Sequence, residues 1–252
     1  MFRVFRKSRE SLVTSARRRK YATYALGEFI LVVAGVLIAL QLNDWNEGRK
    51  SREEAIYYLD LLHQQLIYDN ESLSKMIDYQ ADGRDKVAKA IGLLHADRWD
   101  VAEYDEFREL LYAAYSTEGK STRPIALIQL VDTGRFNAID SRDIQQKLLE
   151  LNAAYTNAIW AIDQLNSSLH FPAALDLVRA IPYGSSDEIM ALDVKPDLLL
   201  EDPNIKSGLT MIWIVHDSIR AELEALHTVA TGTQNEVAMY LSSRSVGATT
   251  SD

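Results

Sequence analysis

The sequence contains one long run of apolar side chains, FILVVAGVLIAL at Phe29–Leu40, and it separates two parts of opposite charge. Ahead of it, residues 1–20 hold eight basic side chains against Glu10 alone, a net charge of +7. From residue 43 onward, 19 basic side chains face 34 acidic ones, a net charge of −15. Twelve helical residues span only about 18 Å, but Ala25 to Leu42 would span about 27 Å, close to the ~30 Å of a hydrocarbon core. Widening the run takes in Glu28 and Gln41, both near its ends, where long polar side chains reach back towards headgroups. Tyr21 and Tyr24 precede the run and Trp45 follows it, and together with Arg17, Arg18, Arg19 and Lys20 they form a set of membrane-interface anchors. These features predict a transmembrane helix over 24–43 in preference to a buried core helix.

No small-x-small cleavage site follows the run, which continues Gln41-Leu42-Asn43-Asp44-Trp45, so an uncleaved signal anchor is expected. The excess of Arg and Lys ahead of the helix places the N-terminus in the cytoplasm. Everything beyond Trp45 then lies across the membrane, in the periplasm if the membrane is the inner one of a Gram-negative bacterium. No second run of comparable length occurs, so one crossing is expected.

The stretch KYATYALGEFILVVAGVLIALQLNDWNEGRKSREE resembles the N-terminal signature of an uncharacterised bacterial membrane family, domain of unknown function 6090. The matching positions are Tyr24, Gly27, Glu28, Gln41, Asn43, Trp45, Asn46 and Glu47. The segment LVDTGRFNAIDSRDIQQKLLELNAAY is similar to that family's helix, Gly turn and following helix. The resemblance implies a membrane-anchored helical protein and supplies no activity.

The remainder reads as all-α. With 11 Gly and 5 Pro the chain is poor in the turns that an all-β protein needs. Leu59, Leu62, Leu66, Leu73, Ile77, Val87, Ile91 and Leu94 keep helical spacing, with a bend or break expected near Asp69, Asn70 and Gly83. Asp100 with Glu103 forms a capping box, and Pro124 and Gly134 bracket a short helix. Ser141 opens a seam through Ile144, Leu148, Leu151, Tyr155, Ala158, Ile162, Leu165 and Leu169 with a 3.5-residue repeat. Pro172 ends or kinks it, residues 181–202 read as a long loop, and Asp202-Pro203 starts another long helix with its own seam from Ile205 to Tyr240. The expected organisation is a basic cytoplasmic tail (1–23), the transmembrane helix (24–43), an extracytoplasmic bundle of three long and two short helices (44–243) and a flexible tail (244–252).

No phosphate-loop, dinucleotide, zinc-protease or serine-hydrolase signature is present, and a chain without Cys has no thiolate chemistry. Asp60-x-x-His63 and Glu224-x-x-His227 have the spacing of di-metal ligands, but acidic residues are frequent and both pairs flank their seams. No metal, no cofactor and no catalytic residue is therefore expected. His216 falls on a seam and reads as a hydrogen-bonded core histidine. Trp99, Trp160 and Trp213 read as core or interface residues. A net charge of −9 argues against nucleic acid, whereas the basic tail suits anionic lipid headgroups. Glu28, Val32, Gly35, Ala39 and Leu42 lie on one face of the apolar helix, where Gly35-x-x-x-Ala39 would let two copies approach closely. The expected function is a non-catalytic, membrane-anchored scaffold or sensor binding a periplasmic protein or small ligand. A homo-oligomeric, channel-like assembly around the membrane helix is the alternative, and a metal-dependent periplasmic enzyme the third.

Overall fold

The computed structural model describes residues 3–95, 100–115, 122–168 and 201–249, with side chains from Leu26 onward and as far as Arg244. Trp99, Leu169, Pro172 and most of the 181–202 loop lie outside the described residues. Among those described there are five α-helices, one short 3-10 turn and no strand. They are α1 (Arg3–Leu94), α2 (Val101–Tyr115), α3 (Ile125–Val131), the 3-10 turn Arg135–Ala138, α4 (Arg142–Ser168) and α5 (Pro203–Thr249). The all-α class and the three long and two short helices agree with the sequence. Contacts divide the chain into two units, Met1–Glu54 and Ala55–Asp252.

Helix α1 runs without interruption through Gly48, Asp69, Asn70 and Gly83, so no break occurs at any of them. The reason lies in the seam of its second unit. Buried positions step by four and three residues from Ala55 through Leu59, Leu62 and Leu66 to Leu73, Gln80, Gly83, Val87, Ala90 and Leu94. Asp69 and Met76 fill the two remaining steps as partly buried side chains. The polar residues that look like an interruption in the sequence therefore lie on the inward stripe, where they meet partners on other helices. Their unbroken 3.5-residue repeat is the packing geometry of a coiled coil.

Local chemistry sets the helix starts. Glu103 N–H donates to Asp100 Oδ1 (2.8 Å) and Asp100 N–H to Glu103 Oε2 (3.0 Å), the reciprocal box expected at α2. Ser141 Oγ accepts from Ile144 N–H (3.3 Å) at the start of α4, and Asp202 Oδ1 accepts from Asn204 N–H (2.8 Å) at α5. Gly134 turns the chain after α3 in the left-handed region (φ 73°), which favours glycine over any residue with a Cβ. Helix α5 continues to Thr249, into the segment expected to fray.

Five side-chain contacts fix the helix directions in the second unit. Asn70 pairs with Gln234 and Gln80 with His216, so α5 runs antiparallel to α1. Asp140, just before α4, meets Tyr240 and Arg244, while Tyr155 further along α4 meets Asp69. That places α4 antiparallel to α5 and parallel to α1. The α4 seam at Ile144, Leu148, Leu151, Tyr155, Ala158 and Ile162 is buried as expected, and so is the α5 seam from Ile205 through Leu223 to Val237. Helix α2 buries Tyr104, Phe107 and Leu111, and α3 buries Ala126, Leu127 and Leu130. Of the two places expected for Trp160, the core is excluded: it is 67% exposed, because it lies opposite the α4 seam, and Trp213 is 38% exposed.

Gly83 is the point at which α1 and α5 approach most tightly. A Cβ added there would stand 2.3 Å from His216 Cε1 and 2.6 Å from its Nδ1. Gly232, exposed within α5, has nothing within 4 Å of such a Cβ. Alanine gains about 1 kcal/mol of helix propensity at either site, but overpacking a closed interior costs about 1–3 kcal/mol and a broken buried hydrogen bond adds a similar amount. Gly83→Ala should therefore lower unfolding stability by about 1–5 kcal/mol net, whereas Gly232→Ala should raise it by up to ~1 kcal/mol, read by urea denaturation. Equal effects at the two positions would contradict the close approach.

Candidate functional site

Two regions carry chemistry that the rest of the chain lacks: the apolar segment of α1 and a set of polar layers inside the bundle. The first is apolar on every face and uncovered. Leu26, Phe29, Ile30, Leu31, Val32, Val33, Val36, Leu37, Ile38, Leu40 and Leu42 are all exposed. It is the one segment among the described residues long and apolar enough to cross a membrane. Glu28, Gly35 and Ala39 are exposed beside Val32 and Leu42, and nothing stands within 4 Å of a Cβ placed on Gly35. Trp45, also exposed, is covered in part by the Arg49 guanidinium 5.8 Å from its ring centre. Arg17, Arg18, Arg19, Lys20, Tyr21 and Tyr24 lie on the same helix, but their side chains are outside the described set.

The bundle's polar layers all lie on or beside the seams. His216 and Gln80 are both 0% exposed, and His216 Nδ1–H donates to Gln80 Oε1 (2.6 Å). Because an amide oxygen only accepts, this contact calls for a proton on Nδ1. On the flank of this layer, Arg84 (3.4 Å) and Arg220 (3.1 Å) converge on Asp217 Oδ1, and Arg220 also meets Glu224 (2.7 Å). About three turns away along α1, the Tyr155 hydroxyl donates to Asp69 Oδ2, and burial pushes the Asp69 carboxyl up to about 6. Beside it Asn70 Nδ2–H donates to Gln234 Oε1 (2.6 Å), while Asn70 Oδ1 is buried without a hydrogen-bond partner.

The two carboxylate-histidine pairs are kept apart. Asp60 accepts from Gln64 (3.0 Å), and Glu224 is held by Arg220. The antiparallel pairing of α1 and α5 sets Glu224 and His227 about 20 Å along the bundle from Asp60 and His63. Among the described residues no three of His, Asp and Glu gather as metal ligands would. The sequence reading named His216 but missed Asp69 and Gln80 as inward positions. The unbroken four-three spacing from Ala55 to Leu94 would have found both.

Residues 28–123 match the profile of a family of unknown function, DUF6090. The match starts at Glu28 inside the apolar segment, takes in the whole α1 seam and α2, and stops just before α3. It supports the resemblance drawn from the N-terminal signature. The similarity drawn for the 130–155 segment falls beyond it. No curated protein and no solved structure matches the chain.

Asp69 yields a pH dependence whose sign follows from burial. The carboxyl's folded value of about 6 lies above its ordinary 3.8. Its contribution to stability is therefore fully present below the ordinary value and is lost as pH rises through about 6. Asp69→Asn keeps an acceptor for Tyr155 and removes the titration. The variant should gain stability over the parent at pH 7.5, and that gain should shrink to nothing near pH 4, as read by chemical denaturation across the range. A constant difference at all pH values would show that Asp69 ionises in the bundle as it does in water.

Proposed function

We propose that this protein is a single-pass membrane-anchored protein whose bundle acts as a non-catalytic scaffold or sensor for a protein or small ligand. In this reading the basic N-terminal tail is cytoplasmic and binds anionic headgroups, and the bundle is periplasmic, at the inner membrane of a Gram-negative cell. The observation that carries it is the segment from Leu26 to Leu42, exposed and apolar all round. Burying each large apolar side chain is worth about 1.5–3 kcal/mol, so leaving eleven of them in water would offset the stability of a typical domain. A bilayer removes that cost. The charge step from the basic N-terminal twenty residues to the acidic remainder supports the orientation.

The non-catalytic part of the reading rests on what the buried polar groups do. His216, Gln80, Asp69, Tyr155 and Asn70 all bond across helix pairs. Polar pairs of this kind give a bundle register and a sensitivity to its surroundings. The alternative is a homo-oligomeric assembly through the Glu28, Val32, Gly35, Ala39 and Leu42 face, where the Gly35-x-x-x-Ala39 spacing lets two backbones approach closely. Packing that face would shield Glu28 from lipid.

A reporter that works only in the periplasm should be active when fused after Asp252 and silent when fused before Arg17. The reverse pattern, or full release of the protein from membranes by alkaline carbonate, would end the reading.

A further inference from the structure

A helix that leaves a membrane with its N-terminal part inside aims its side chains back at the bilayer, because each Cα–Cβ bond tilts towards the helix N-terminus. Helix α1 continues in this way beyond Leu42, unbroken and within one unit, Met1–Glu54. Ile38, Leu42, Trp45, Arg49 and Arg52 recur there at steps of four, three, four and three residues, all exposed on one face. Along that stripe the chemistry passes from aliphatic to aromatic to cationic.

Both arginines are folded back by one turn. The Arg49 guanidinium sits 5.8 Å from the Trp45 ring centre, and Arg52 Nε–H donates to Gly48 O (3.1 Å). At about 1.5 Å per residue, Trp45 and Gly48 stand about 4.5 and 9 Å beyond Leu42. The polar layer on each side of a hydrocarbon core is about 5–8 Å deep, so the two charged heads span the level of the headgroup phosphates. At about 100° per residue, Glu47 and Glu54 lie on the opposite side of the helix and Asp44 more than a quarter turn away. Only Glu53 is near, 3.6 Å from Arg49 Nε, and an ion pair whose side chains are 57% and 68% exposed holds little.

We propose that Trp45, Arg49 and Arg52 form a binding site for the phosphate of an anionic lipid, in the leaflet through which α1 leaves the membrane beyond Leu42. The site depends on the anchoring proposed above and lies at the end of the apolar segment away from the basic tail. Residues three apart are neighbours on a helix surface, and two planar guanidinium forks suit the oxygens of one phosphodiester. The backbone contact of Arg52 occupies Nε and leaves its two terminal nitrogens for that ligand. Trp45 holds the Arg49 head by its ring face and offers its apolar body to the upper acyl chain. A zwitterionic lipid would set its own ammonium against the two guanidiniums, whereas an anionic headgroup such as phosphatidylglycerol brings none, so the site discriminates between them.

Brominated acyl chains quench tryptophan on contact, and the emission lost in Trp45→Phe isolates the signal of Trp45. Full-length protein is reconstituted into vesicles of phosphatidylcholine and phosphatidylglycerol in equal parts, with bromine on one lipid or on the other. Phosphatidylglycerol should be favoured beside Trp45 about fivefold, the weight of one basic residue at an anionic surface. Arg49→Gln with Arg52→Gln should remove the preference while the protein still floats with the vesicles and keeps its helical circular dichroism, since both side chains are exposed. Arg49→Lys with Arg52→Lys keeps the charge without the fork and should lose most of it. Arg17→Gln with Arg18→Gln, at the other end of the segment, should leave it intact. Equal quenching by the two lipids in protein that floats overturns the site. Full preference in the lysine variant also overturns it, by showing a diffuse attraction, and loss of preference in the tail variant assigns the effect to the tail. Protein that does not float overturns the anchoring itself, and the site with it.

Discussion

Two long antiparallel helices with regular four-three seams can slide by seven residues and still bury the same faces. What stops α1 and α5 from sliding is the buried hydrogen bond between Gln80 and His216, seated where Gly83 makes room for the ring. A leucine pair at that level would add more burial, about 2 kcal/mol per side chain against about 1 for a neutral hydrogen bond. Leucine would fit equally well one heptad along, however. A displaced glutamine or histidine would be buried without its partner at a cost of about 1–3 kcal/mol, so the polar pair selects one register from several. Asn70 with Gln234 and Asp69 with Tyr155 repeat the device further along α1.

These layers also make the bundle less rigid than an all-leucine core. Asn70 Oδ1 and Thr231 Oγ1 are buried without hydrogen-bond partners, on facing flanks of α1 and α5. Asp69 has to give up either its charge or its burial. The interior thus holds its interactions at a few discrete levels, separated by Leu73 and Met76 and flanked by the apolar layers Leu59–Leu66 and Val87–Leu94. A ligand or neighbour that favours one arrangement of a layer has a defined element on which to act.

Much of this was legible in the sequence because the signals were local. The capping box at Asp100, the caps at Ser141 and Asp202 and the turn at Gly134 each depend on a few neighbouring residues. The α4 and α5 seams were equally plain, being apolar at nearly every step. The α1 seam was read only in part, because Asp69, Gln80 and Gly83 are polar or small, and their inward positions make sense only once Tyr155 and His216 stand opposite. For Trp160 the sequence left core and interface open, and only its phase relative to Tyr155 and Ala158 turns it outward. The two carboxylate-histidine pairs could be separated only when the register between α1 and α5 was known.

The antiparallel arrangement has a mechanical consequence. Ala55, at the start of the α1 seam, and the end of α5 beyond Tyr240 lie at the same end of the antiparallel pair. Tension applied between those two points loads the helix pair as a zipper, one layer at a time, instead of shearing every layer at once. Asn70–Gln234 would yield before the buried Gln80–His216 bond, which opens only after several layers. Such a bundle gives way gradually to a pull from its own two strands, while a load carried along a single helix meets the whole core together.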